Sequence, residues 1–300
     1  MNTHKLSVMI PARDRTILTQ KCIQSIWAYS SFFQKIDIYV FDNGSDLDVG
    51  RFAIFEKLLK ERKICYYSYD TSTSLINCFG KATTFMRWCQ MMEIDYKLRE
   101  NVRDPEHFYE KFYLLIDNDF IVCPRWWEYM ISGLMYTYKD KNIHYLVPNN
   151  GGIPSKGIAG RPNFEIVNHF NRNEKINIQY SSAGGSSGFW FMNYEGLSRL
   201  KWDIETLRKA YNQYKRQDTE TWNMIRRKNG MICYVAGVVP QNNTRIALHL
   251  GPHAGGSLCN KLQQKIYDDH KQELIQNEKF LENMSLDEII NMFKDKAGKW

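Results

Sequence analysis

A chain of 300 residues that is 43% apolar and 14% aromatic can build one large domain with an appendage, which excludes an intrinsically disordered protein. A formal charge of +7 points to anionic partners such as nucleotides, nucleic acid or acidic polymers. Seven cysteines, scattered and never in a C-x-x-C pair, argue against both a disulfide framework and a thiolate zinc site.

The opening MNTHKLSVMIPARDR carries only a short apolar run, broken by Pro11 and followed by charges. Neither a signal peptide nor a membrane span is expected there or later, so the expected compartment is the cytoplasm. Leu6 to Ile10 reads as the first strand, and Leu18, Cys22, Ile26 and Tyr29 recur at helical spacing. Ile36 to Phe41 predicts a second strand, Phe52 to Leu59 a helix, Ile64 to Tyr69 a third strand, and Leu75 to Met92 a long helix weakened by Gly80. Strand and helix alternating in this way imply a mostly parallel sheet with helices on both faces.

Phe112 to Ile116 then reads as a buried strand that ends in Asp117, Asn118 and Asp119. If the backbone stays extended, residues two apart point the same way and both carboxylates converge on one spot, where two like charges need a cation. The competing reading is a plain turn, which Asp and Asn favour after strands. A second strand also ends in an acid, Asp42 in IDIYVFDNGSD, and parallel sheets bind ligands at their carboxyl ends. No G-x-G-x-x-G follows a strand, and Gly80-Lys81 lacks the earlier glycine of a P-loop, which argues against a dehydrogenase and a P-loop hydrolase.

Beyond Asn149 to Pro162, a loop that reads either as a lid or as an ordinary connection, small residues in SSAGGSSGFWFMN precede a strand at Phe189 to Met192, as if backbone must approach something closely. RQDTETWNMIRRKNGM predicts a helix begun near Asp218 and stopped at Gly230. The lysines and arginines between Arg199 and Lys228 form either a basic patch or solvated helix faces. RIALHLG is a strand ending in His249, and MSLDEIINMF is the clearest helix of the charged C-terminal segment.

The order SVMIPARDR, IYVFDNGSD, FGKATTFMRW, YLLIDNDF, GGSSGFWFMNYEGL, RQDTETWNMIRRKNGM and ALHLG resembles the GT-A nucleotide-sugar glycosyltransferases, family 2 above all, over roughly residues 5 to 253. The resemblance implies a GT-A, Rossmann-like α/β fold in a catalytic domain of residues 1–255, with a helical tail over 256–300. It places Pro11, Arg13 and Asp14 in the loop under the nucleobase and ribose, Asp42 on the base or ribose, and Lys81 near the nucleotide. Asp117, Asn118 and Asp119 stand at the family's D-x-D motif, with Asp119 the foremost metal ligand, Asp117 beside it and His249 completing the shell. The implied cofactors are Mn2+ or Mg2+ and a nucleotide sugar, with UDP as the expected nucleotide.

Asp218 matches the acid that acts as base in an inverting transfer, with Gln217 replacing the preceding Glu; it also reads as a helix N-cap. Gly184, Gly185 and Trp190 match the acceptor-side strand, where Trp190 either stacks on a sugar or fills the core. The implied acceptor is a glycan, a polyanion such as a wall polymer, or modified DNA. The rival readings are a sugar-phosphate nucleotidyltransferase and a non-catalytic module that binds nucleic acid or glycan.

Overall fold

The computed structural model describes residues 4–45, 51–69, 87–92, 111–137, 143–148, 163–181, 188–199, 231–236, 246–250 and 279–294. The first strand, β1 (Lys5–Ala12), is buried along its whole length, as a central strand covered on both faces must be. Helix α1 (Thr16–Tyr29) follows, then β2 (Lys35–Asp42), α2 (Arg51–Lys60), β3 (Tyr66–Tyr69) and β4 (Lys111–Ile116). The remaining strands are β5 (Phe120–Val122), β6 (Ile143–Pro148), β7 (Asn163–Val167), β8 (Lys175–Ser181), β9 (Phe189–Asn193), β10 (Met231–Ala236) and β11 (Ala247–His249). Helices α3 (Trp126–Thr137), α4 (Tyr194–Arg199) and α5 (Leu286–Lys294) complete the described elements. Of the helix predicted from Leu75, only 87–92 is described, and it is helical.

Nine strands form one sheet in the order β3-β2-β1-β4-β9-β6-β10-β8-β7. Only β8 and β9 run against the other seven, so the sheet is mostly parallel, with helices packed on it, as expected from the sequence. The two-residue side-chain period sorts the apolar residues onto two faces. Leu6, Val8, Ile10, Phe112, Leu114, Ile116, Phe189 and Phe191 meet α1 and α3 on one face. Met9, Tyr113, Leu115, Trp190 and Met192 meet Trp88, Met92 and Leu197 on the other.

From β1 the chain steps outward through β2 to β3, then crosses back to place β4 on the other side of β1. The carboxyl ends of β1 and β4 therefore flank the point where the strand order reverses, the crevice in which open α/β sheets bind their ligands.

The described part of the predicted tail packs back on this region. Ser285 and Glu288 form a reciprocal capping box, with Glu288 N–H donating to Ser285 Oγ (3.2 Å) and Ser285 N–H donating to Glu288 Oε2 (2.7 Å). Leu281 and Ile289 are buried against Leu18 of α1 and Ile121 of β5. Lys21 Nζ donates to the carbonyls of Glu282 (3.2 Å) and Met284 (2.6 Å), and Tyr29 Oη donates to Asp287 Oδ1 (2.7 Å).

Candidate active site at the strand mouths

Three segments meet at the carboxyl edge: residues 12–15 after β1, 42–45 after β2 and 117–119 after β4. The backbone does not stay extended past Ile116. Phe120 N–H closes a turn on Asp117 C=O (3.1 Å), and the chain then forms β5, which pairs antiparallel with β11. The turn expected as the competing reading is thus the conformation that carries both acids. Asn118 is not an outward group: its buried Nδ2 donates to Asp14 C=O (3.3 Å) and Thr19 Oγ1 (3.1 Å), bracing the β1 loop against the β4 turn. The Asn118 amide, expected to face the donor, is engaged within the chain.

The β1 loop is held from the other side as well, because Asp14 N–H donates to Ser45 Oγ (2.7 Å). Pinned so, Asp14 and Arg15 both take the left-handed conformation, at φ 51° and 58°, which costs a non-glycine residue of order 1–2 kcal/mol. Arg15 is the N-cap of α1 without a side-chain cap, and its carbonyl receives both Thr19 N–H and Thr19 Oγ1 at 2.9 Å. This geometry sends the Arg15 guanidinium, through Nη1, onto Asp119 Oδ2. Both side chains are nearly enclosed, 10% and 8% exposed. Pro11 is buried on β1, opposite Phe41, and Arg13 is half-buried.

Asp42 is treated differently. Its Oδ1 accepts from Ser45 N–H (2.8 Å) and Ser45 Oγ (2.6 Å), while Oδ2 accepts from Tyr67 Oη (3.0 Å). At 2% exposure the carboxylate is built into its own turn, which leaves little of it for a base or ribose.

Opposite the β4 turn lies Gly188, whose carbonyl accepts Asp117 N–H (2.8 Å). A Cβ there would sit 2.4 Å from Phe120 Cε2 and 3.1 Å from Asp117 Oδ2, so only glycine fits under the half-buried Asp117. The close approach expected from the small residues before Phe189 is found at this position. Trp190 is a core residue instead of an acceptor platform: it is fully buried and stacks on Tyr145 at 4.6 Å, leaving no face for a sugar.

The register of β11 places His249 opposite Phe120, and Leu250 N–H donates to Asp119 C=O (2.8 Å), so the backbone of His249 runs beside the Asp119 turn. Lys81, Gly184, Gly185 and Asp218 lie outside the described residues. Beneath the turn, burial above all, then Asp119 and Asp117, push the Cys22 thiol well above its usual range, so it stays neutral.

Two carboxylates in one turn are a donor set that suits a hard divalent cation. Among the described residues no group of three His, Cys, Asp or Glu converges, and the backbone of His249 lies beside the turn that carries the two acids. Reading the sequence missed the Arg15 to Asp119 pairing and the Ser45 and Tyr67 braces. Ser45 had a signal, since Asp-Asn-Gly-Ser is turn chemistry; the direction of Arg15 had none.

No protein-family model and no curated protein matches this chain. Among solved structures it is similar to GalNAc-T7 with UDP, GalNAc and Mn2+, at 11% identity over 97% of this chain and 54% of that one, with a TM-score of 0.48. It is similar to S. aureus TarS at 13% identity over 80% and 37%, TM-score 0.40, and to TarS 1–349 at 12% over 79% and 58%, TM-score 0.41. The chain thus spans between 37% and 58% of the length of these solved chains. Among the described residues no helix is long and apolar enough to cross a membrane.

Proposed function

We propose that this chain is a glycosyltransferase that moves a sugar from a nucleotide-sugar donor, with UDP as its nucleotide, to an acceptor hydroxyl. The observation that carries the reading is the meeting of the β1 loop, the β2 turn and the Asp117 to Asp119 turn at the point where the strand order reverses. GalNAc-T7, solved with UDP, GalNAc and Mn2+, agrees with the donor and metal chosen here.

Asp119 and Asp117 hold the divalent cation, with His249 as the proposed third ligand. When bound, the cation supplies Lewis-acid neutralisation of charge on the departing diphosphate. The pinned loop of residues 11–15 forms the floor for the nucleoside, and Asp42 fixes the neighbouring turn at the correct height. Asn118 ties the nucleoside floor to the metal-binding turn, so that a small displacement of one is transmitted to the other. Asp218 is the proposed base that takes the acceptor's proton in an inverting transfer. The positive net charge favours a polyanionic acceptor.

The test is a thermal-shift panel of UDP, GDP, dTDP and CMP and their sugars, with and without manganese. A ligand at a hundred times its Kd stabilises by about 2.7 kcal/mol, which reads as a shift of a few degrees. Manganese-dependent stabilisation by uridine nucleotides alone is the expected result. No response to any nucleotide would sink the reading.

A further inference from the structure

Asp117 and Asp119 share one turn, and the structure answers the charge of Asp119 from within the chain. The cation on Asp119 is the guanidinium of Arg15. Three observations argue that this contact is built. The loop that carries Arg15 adopts two consecutive left-handed non-glycine conformations, an arrangement that persists only when its surroundings impose it. Those surroundings are visible: Ser45 holds Asp14 N–H, Asn118 holds Asp14 C=O, and Thr19 holds Arg15 C=O from inside α1. Finally, both partners are nearly enclosed, where a charge pair is screened far less than at the surface.

Resting on the donor-site reading above, we propose that Arg15 is a built-in counter-ion that competes with the divalent cation for Asp119 and thereby couples metal binding to donor binding. A carboxylate oxygen in contact with a guanidinium resists a second cation, so metal alone binds weakly. A donor brings a diphosphate, an anion onto which a displaced guanidinium can transfer its planar hydrogen-bonding fork. Metal and nucleotide then bind cooperatively, and by linkage each raises the affinity of the other by the same factor. The arrangement keeps the site from committing to metal before the substrate arrives.

The experiment is a manganese titration of the full chain, read by the electron paramagnetic resonance of free Mn2+, with and without UDP. The proteins are wild type, Arg15→Gln, Arg15→Lys and Asp119→Asn. Removing an enclosed charge competitor should tighten Mn2+ binding in Arg15→Gln by roughly tenfold or more without nucleotide, and should shrink the further tightening that UDP produces in the wild type. Arg15→Lys, which keeps the charge and loses the fork, should fall between the two. Far-ultraviolet circular dichroism checks that each variant is folded; the backbone bonds of Arg15 to Thr19 do not depend on its side chain.

Unchanged or weaker Mn2+ binding in folded Arg15→Gln overturns the counter-ion role. An equal effect of UDP in wild type and Arg15→Gln overturns the coupling. Asp119→Asn separates this inference from the reading beneath it. If that change abolishes Mn2+ binding while Arg15→Gln alters nothing, only the counter-ion fails; if it leaves Mn2+ binding intact, the donor site fails and the counter-ion with it.

Discussion

Asp42 and Asp119 both sit at the carboxyl edge of the sheet, both nearly enclosed, and the protein treats them in opposite ways. Asp42 is met by neutral donors from its own turn and the next strand, Ser45 and Tyr67. Asp119 is met by a full positive charge delivered from a strained loop. Hydrogen bonds from neutral groups satisfy a carboxylate permanently and make it scaffold. A charge on a long side chain can be exchanged for another charge, which suits a carboxylate to a cycle of binding and release. Sequence position alone makes the two acids look equivalent; their partners separate them.

The contrast is sharpest for Asp119→Asn, which should lower manganese-dependent donor turnover by about 100- to 1,000-fold, as losses of electrostatic transition-state stabilisation do. Initial-rate kinetics across a manganese series check this, and an undiminished rate would erase the distinction. Ile289→Ala should cost roughly 2–3 kcal/mol of stability by opening a cavity between α5, α1 and β5. It should also weaken manganese binding, because Ile121 and Leu250, which pack in the same cluster, flank the Asp119 turn; denaturant melts and metal titration read the two effects. Asp42→Ala should lower stability by roughly 2 kcal/mol, since Ser45 and Tyr67 lose their acceptor, and should disturb manganese affinity only through the hold of Ser45 on Asp14 N–H. Tyr67→Phe removes one of those bonds and should cost about 0.5–1.5 kcal/mol in the same melts. Tyr67→Phe leaves the Ser45 brace in place and should keep manganese affinity as it was; were it to alter that affinity, the two corners would be one electrostatic unit.

Much of the parallel half of the sheet was legible because its signals are local. β1, β2 and β4 are short, mostly apolar runs, and the observed strands match the sequence reading to within one or two residues. The strand-end acids were legible for the same reason. The conformation after Ile116 was not, because extended backbone and turn share the same Asp-Asn-Asp letters, and the choice is made by Gly188 and β11, which arrive from distant sequence. Trp190 illustrates a second limit. An aromatic residue in a strand reads the same whether it faces a ligand or Tyr145, and only the packing on the far face of the sheet decides. The direction of Arg15 depends on two φ values set by Ser45 and Asn118, which no spacing rule encodes.

The bond from Lys21 to the Glu282 carbonyl joins residues 261 positions apart. During synthesis the helix that begins at Arg15 must therefore wait for 261 further residues before this bond can form. At roughly 5–20 residues per second the interval is roughly 13–52 s. For that time Leu18 lacks its cover from Leu281 and Ile289, so the edge that carries Asp119 completes its packing long after its own strands have been made.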